Sequence, residues 1–177
     1  MKVVCISGKA EHGKDTLAGM MKEVLEQKGE RVLITHYGDL VKYVARTFFS
    51  WDGLKNEEGR TLLQYIGTDK VRQKNVNFWV EFIAEILDIF SDRWDVVLIP
   101  DCRFANEIDV LLNYDFDVTS VRIERENYVS ALTEEQMNHA SETSVDDIAY
   151  EYLVTNTTLD ELYESAKLLS ENILNEA

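Results

Sequence analysis

Two spacings of apolar residues alternate along the chain. Val3 to Ile6 and Val96 to Ile99 are continuous apolar runs without a polar face, the pattern of strands covered on both sides. Strands are predicted over 2–7, 31–36, 95–100, 117–124 and 151–155. Between them the spacing turns helical. Leu17, Met20, Met21, Val24 and Leu25 share one side of a helix over about 14–28 that stops at Gly29, a residue suited to the position just past a helix end. The stretch between the second and third strands is too long for a simple crossover and predicts helices near 39–50, 57–67 and 77–92. In the last of these Trp79, Phe82, Ile83, Ile86, Leu87 and Phe90 make an apolar side wide enough for a central core helix, so its aromatics read as packing and not as a base-binding box. The final helix opens on a capping box, Thr158 to Glu161, and carries Leu159, Leu162, Tyr163, Ala166, Leu169 and Ile173 on one side.

Strands alternating with helices imply an α/β fold with a parallel sheet, right-handed crossovers and functional groups at the carboxyl ends of the strands. No repeat or low-complexity tract divides the chain, and the single proline, Pro100, ends an apolar run. One domain over 1–177 is expected, with 38–92 as a helical acceptor-binding insertion and 125–145 as a lid-like segment.

The chemistry begins after the first strand. Gly8, Lys9, Ala10, Glu11, His12, Gly13, Lys14, Asp15 and Thr16 lie between a strand and a helix, where two glycines let backbone N–H groups approach phosphate and the helix start favours negative charge. Lys14 adds a mobile full charge for β- and γ-phosphates. The match to G-x-x-x-x-G-K-[ST] departs at one place. Asp15 stands where a hydroxyl normally meets magnesium, and Thr16 follows one residue later. Asp15 is therefore a metal-side residue acting through water, or else the ion relies on the nucleotide and another carboxylate. The plainer alternative is a glycine turn that merely joins strand to helix.

Composition narrows the partners. The chain has 177 residues, 45% apolar and 29% charged, as in a soluble globular domain. Its 18 basic against 33 acidic residues give a net charge of −15, which disfavours nucleic acid polymers and anionic membrane surfaces. An anionic ligand needs a local basic cluster. Cys5 and Cys102 form neither a metal-binding nor a redox spacing, which suits a reduced cytosol. The amino terminus enters a strand without a signal-peptide pattern, and no apolar run approaches the ~18 residues of a membrane span. A cytoplasmic protein is expected.

Polar residues follow several strand ends. Asp39 and Lys42 stand three apart on one face of a starting helix, Asp39 being either a cap or a ligand contact and Lys42 a partner for phosphate. Asp101, after the third strand, is the second metal-side candidate, and Arg103 offers a planar fork to phosphate or else pairs with Asp101 or Glu107. In the insertion, Arg60, Gln64 and Arg72 combine two cations with an amide suited to a base edge. Arg122 and Arg125 precede a polar stretch through His139 to Glu142, a lid whose arginine would meet charge on a transferring group. His139 and Ser141 read as a helix cap before 145–149. Asn156, with Thr155 and Thr157, would edge the donor base.

These residues resemble the phage-type deoxynucleoside monophosphate kinases over nearly the whole chain. The specific stretches are Gly59-Arg60-Thr61-Leu62-Leu63-Gln64-Tyr65-Ile66-Gly67-Thr68 and Asp101-Cys102-Arg103-Phe104-Ala105-Asn106-Glu107, with the loop's Gly-Lys-Asp-Thr, His139-Ala140-Ser141-Glu142 and Val154-Thr155-Asn156 in support. The resemblance implies a P-loop kinase three-layer sandwich, nucleoside monophosphate kinase-like, with a five-stranded parallel sheet, a helical insertion between strands 2 and 3 and a lid after strand 4. It implies transfer of the ATP γ-phosphoryl group to a (deoxy)nucleoside 5′-monophosphate, with Mg²⁺ as the ion. Lys14, Arg103, Asp101 and Arg125 would be catalytic, the loop from Gly8 to Thr16 and Asn156 would hold ATP, and Asp15 and Asp101 would face the metal. Asp39, Lys42, Arg60, Gln64, Arg72 and Arg103 would bind the acceptor. The acceptor phosphate is already an anion near neutral pH, so positioning and charge neutralisation carry the rate. Small nucleotides are the implied partners, and the resemblance leans toward a homodimer. Two other readings fit the same scaffold. One is a P-loop kinase for another phosphorylated metabolite, like phosphomevalonate kinase, against which the amide-bearing insertion argues. The other is a non-catalytic nucleotide-binding protein, for which Asp15 speaks best.

Overall fold

The apolar runs pair side by side. A computed structural model describes residues 1–175, with strands β1 (Lys2–Ser7), β2 (Val32–Ile34), β3 (Val96–Cys102), β4 (Asp117–Arg125) and β5 (Tyr152–Asn156). They form one sheet in the order β2-β3-β1-β4-β5, and every pair is parallel. The carboxyl ends of β1, β3 and β4 therefore lie side by side at the sheet centre. Alternation along β1 supplies both cores. Val4 and Ile6 pack with α1 (Lys14–Gln27) and α9 (Leu159–Asn175) on one face, while Val3 and Cys5 pack on the other with α2 (Tyr37–Phe49) and α5 (Phe78–Ile89). This makes the three layers that the alternation of strands and helices implies.

The insertion lies between β2 and β3. It contains α2, α3 (Glu57–Gln64), a π-helical turn over Tyr65–Lys70, α4 (Val71–Lys74) and α5. The helix expected to end at 67 instead runs through the π turn, where the Gly67 carbonyl accepts the Trp79 indole N–H at 2.8 Å. Such turns occur often at functional sites. On α5 the apolar side is split. Trp79, Val80, Ala84 and Leu87 are buried, whereas Phe78, Phe82, Ile86 and Ile89 are exposed. A helix with apolar residues on two sides can still cover a sheet with only one of them, so α5 is a flanking helix and not a central one. Beyond β3, α6 (Ala105–Leu111) is too short to show a period in the sequence. After β4 the lid-like stretch holds α7 (Glu134–Met137), α8 (Ala140–Thr143) and a 3-10 turn over Ser144–Asp147, so His139 caps α8 and not a helix over 145–149.

Two boundary shifts bear on the site. β2 ends at Ile34 and α2 begins at Tyr37, earlier than the expected 39, because Asp101 accepts the Tyr37 and Gly38 N–H groups at 3.0 and 2.8 Å and fixes the helix start. Asp39 therefore lies inside the first turn, with His36 at the cap position. In β3 the register against β1 slips by one residue between Cys5↔Ile99 and Ser7↔Cys102. A strand bulge of this kind, at Pro100 with its missing N–H, re-aims the side chains beside it, and Asp101 is one of them. The expected capping box of α9 is present, with Thr158 Oγ1 accepting Glu161 N–H and Glu161 Oε2 accepting Thr158 N–H, both at 3.2 Å.

Gly8 closes β1 at φ +155°, and a Cβ there would stand 2.5 Å from the Ile123 carbonyl oxygen. Backbone cannot yield as a flexible side chain does. Gly8→Ala is expected to destabilise the fold by about 3 kcal/mol or more, read from denaturant unfolding; a change within the scatter of surface substitutions would contradict this packing account.

Candidate active site

The loop after β1 folds around Lys14. Gly8 and Gly13 take positive φ, as does Glu11 at 65°, so successive N–H groups can turn inward to form an anion-binding concavity. Lys14 is buried, and its ammonium donates to the Gly8 and Lys9 carbonyls at 2.7 Å each. Burial first, then the Arg103 charge, pulls its pKa down to about 7, against the opposing pull of Glu142, Asp15 and Asp101. Anionic phosphate beside it would restore the full charge. The first-turn amides of α1, residues 14–16, lie where helix geometry leaves N–H groups without helical carbonyls.

Beside the loop opens a cleft of about 490 Å³. Ala10, Glu11, Lys14 and Asp15 line its loop side; Lys42, Arg60, Gln64 and Arg72 line the insertion side; Asp101 and Arg103 come from the end of β3. Loop and insertion are thus brought into one space. The remaining loop residues Gly8, Lys9, His12, Gly13 and Thr16 complete the turn, with Thr16 exposed. Three other expected site residues lie apart from the cleft lining. Asp39 reaches it through Lys42, whose ammonium is 2.7 Å away, and through His36, whose Nδ1 is 3.5 Å away. Arg125 is exposed, its guanidinium 5.1 Å from the Tyr128 ring centre and its N–H donating to His12 Nδ1 at 3.1 Å. Asn156 donates to the Glu124 carbonyl at 3.1 Å and lines a separate, acidic hollow with Glu126, Asp160 and Glu161.

Four cations of the cleft have carboxylate partners. Arg60 pairs with Glu11 at 2.9 Å and Lys42 with Asp39. Arg103 pairs with Glu142, not with Asp101 or Glu107, and its backbone N–H donates to Glu107 Oε2 at 2.6 Å. Arg72 pairs with Glu107, donates to Asn106 Oδ1 at 3.0 Å and stacks 3.8 Å over the Phe104 ring centre. Both members of that pair are almost fully buried, and burial pushes the Glu107 carboxyl up while Arg72 opposes it. Arg72 thus ties α4 to the start of α6 as well as lining the cleft.

The two carboxylates expected to face a metal, Asp15 and Asp101, both line the cleft. Asp15 accepts from His36 Nε2 at 2.7 Å, which lowers the Asp15 pKa and raises that of His36. Asp101 has both oxygens on α2 amides, and burial raises its pKa despite them. Among the described residues no three His, Cys, Asp or Glu side chains converge as a metal cage. Sequence reasoning missed His36; it named Glu107 as a partner for Arg103 and Glu142 within the polar stretch, but not the pairs Arg72–Glu107 and Arg103–Glu142, which join segments far apart in the chain.

A parallel sheet in this order, a glycine-bounded loop around a buried lysine and a helical insertion facing it define the P-loop kinase fold. Solved structures share it across nearly the whole chain. The APS kinase of Mycobacterium tuberculosis in complex with AMPPNP and APS matches with a TM-score of 0.54 at 14% identity, covering 98% of this chain and 97% of that one. Shikimate kinase from Aquifex aeolicus matches with a TM-score of 0.52 at 13% identity and 99% coverage of both chains. A kinase-fold protein from Chloroflexus aurantiacus, described as a putative kinase, gives 0.56 at 13% identity over 99% of this chain and 97% of its own. The deoxynucleotide monophosphate kinase family model matches residues 53–166, and the chain belongs to that family. No curated protein matches it. Among the described residues no helix is long and apolar enough to cross a membrane.

The low Lys14 pKa carries a stability consequence. Between about 7 and 10.5 the unfolded chain holds a proton on this lysine that the folded protein has lost, so the contribution of Lys14 to stability rises with pH across that window. Relative to Lys14→Met, the wild type is expected to gain stability from about pH 7 to about pH 9, measured by denaturant unfolding; a difference independent of pH would contradict the shift.

Proposed function

We propose that the protein transfers the γ-phosphoryl group of ATP to the 5′-phosphate of a (deoxy)nucleoside monophosphate, giving the diphosphate. The observation that carries this reading is the single cleft with an anion-binding loop on one wall and Arg60, Lys42 and Gln64 on the facing insertion. Two phosphorylated ligands can meet there, and Gln64 can present an amide to a base edge. Family membership supports a nucleotide acceptor over a phosphorylated metabolite of another kind.

The donor triphosphate would lie in the loop, its oxygens on the inward N–H groups and on Lys14. Lys14 leaves the Gly8 and Lys9 carbonyls for the β- and γ-phosphates and regains its proton as they approach. Arg103, at the end of the central β3, spreads its planar fork toward the transferring group. Arg60 and Lys42 hold the acceptor phosphate in line with it, which converts an encounter of two anions into an oriented, charge-neutralised approach. The attacking oxygen is already ionised, so no side chain removes a proton. Mg²⁺ fits the donor set: oxygen ligands suit it, it commonly keeps waters, and one or two carboxylates suffice. Asp15, exposed at the first turn of α1, would hold it through water, with Asp101 orienting α2 from behind. When bound, the ion would neutralise β- and γ-phosphate charge.

ADP release against a panel of nucleoside monophosphates and phosphorylated metabolites tests the proposal. Release with nucleotides alone is expected; release with metabolites alone, or ATP binding without turnover on either set, would overturn it. Lys14→Ala should cost at least ~100-fold in turnover, the scale of a lost transition-state charge contact, and near wild-type rates would remove the role given to it. Arg103→Ala should reduce turnover by ~10-fold or more at temperatures where the variant is fully folded; a turnover loss no larger than the loss of folded protein would mark Arg103 as structural.

A further inference from the structure

The lid-like segment ends in a carboxylate that sits against the phosphate loop. Glu142, on α8 and buried, accepts the Ala10 N–H at 2.9 Å with Oε2, and its Oε1 meets the Arg103 guanidinium. Arg103 also donates to the neighbouring Ser141 carbonyl. The segment is also fastened to the insertion. Gln136 donates to the Glu57 carbonyl at 3.1 Å and to Thr61 Oγ1 at 3.3 Å, and His139 Nε2 lies 3.2 Å from Asp69 Oδ1. Three segments far apart in the chain, at 10, 103 and 142, thus meet through one side chain.

The comparison with Glu107 shows what sets Glu142 apart. Glu107 satisfies its oxygens with Arg72, in a buried pair, and with the Arg103 and Phe104 amides at the start of its own helix, none of them an amide of the phosphate loop. Glu142 instead occupies an amide of the loop that a phosphate oxygen would need. We infer that Glu142 is a positioning residue that stands in for the donor phosphate: its carboxylate holds the Ala10 amide and Arg103 in place, and on nucleotide binding it yields Ala10 while keeping Arg103 aimed at the transferring group.

This rests on the nucleotide-kinase reading and makes a demand that a purely structural glutamate would not. A competitor anion weakens ATP binding, whereas a residue that aims Arg103 raises turnover. Removing the charge must therefore move the two in opposite senses of merit. In Glu142→Gln, ATP with magnesium should bind about fivefold tighter by calorimetry, the scale of one hydrogen bond no longer competed for. The same variant should lose roughly tenfold in kcat with an added nucleotide acceptor, the scale of one misaligned charge contact. Equal or weaker ATP binding, or an unchanged kcat, overturns the inference. Should Glu142→Gln fail to fold, Glu142→Asp decides it by the same two readings, since its carboxylate falls a methylene short of bridging both partners. If the wild type itself binds no ATP, the proposed function fails; if the wild type binds and neither variant binds tighter, only the role of Glu142 fails.

Discussion

A buried ammonium inside a glycine-bounded turn is the constraint on which the rest of the molecule depends. Lys14 loses its water and is held by two carbonyls of its own loop. The arrangement requires β1 to stop against β4 so closely that no Cβ fits at Gly8, and requires α1 to start at once after Gly13. The central place of β1 in the sheet follows from the same need, because its end must be flanked by the ends of β3 and β4, which carry Asp101, Arg103 and the Arg125 amide. Such a group is unfavourable to desolvate without a counter-charge, and a polyphosphate is the ligand that would complete it.

Around that lysine an acidic protein keeps a small basic region from acting as a general anion trap. The net charge is −15, yet six Lys and Arg side chains line one cleft. Arg60, Arg72, Arg103 and Lys42 each have a carboxylate partner. The partners differ in kind. Glu107 belongs to a buried tie between α4 and α6, whereas Glu11, Glu142 and Asp39 belong to the loop, α8 and the first turn of α2. The Arg60–Glu11 and Lys42–Asp39 pairs are part-exposed and contribute little to stability, whereas Glu142 is buried against Arg103.

Much of this is legible in the amino-acid sequence. The apolar runs identified all five strands, and the glycine spacing located the loop, because both signals are local. The π turn at Tyr65–Lys70, the slipped register at Pro100 and the early start of α2 were not, since each is set by a contact from elsewhere: the Trp79 indole, β1 and the Asp101 carboxylate. Charged residues were harder still. Arg103 and Asp101 were recognised by their place after a strand, but the choice of Glu142 over Glu107 as the partner of Arg103 depends on how the chain returns after β4. The apolar positions over 77–92 predict a core helix, and three of them, Phe82, Ile86 and Phe90, lie exposed, because spacing alone says which residues share a face and not what covers it.

Phosphorus NMR on ATP, magnesium and a mixture of deoxynucleoside monophosphates, with the wild-type protein added, follows the γ-phosphoryl group itself. The account predicts that its signal passes into the β-phosphate of a deoxynucleoside diphosphate as ADP appears. An ATP spectrum that stays unchanged, or that yields only inorganic phosphate, would contradict it.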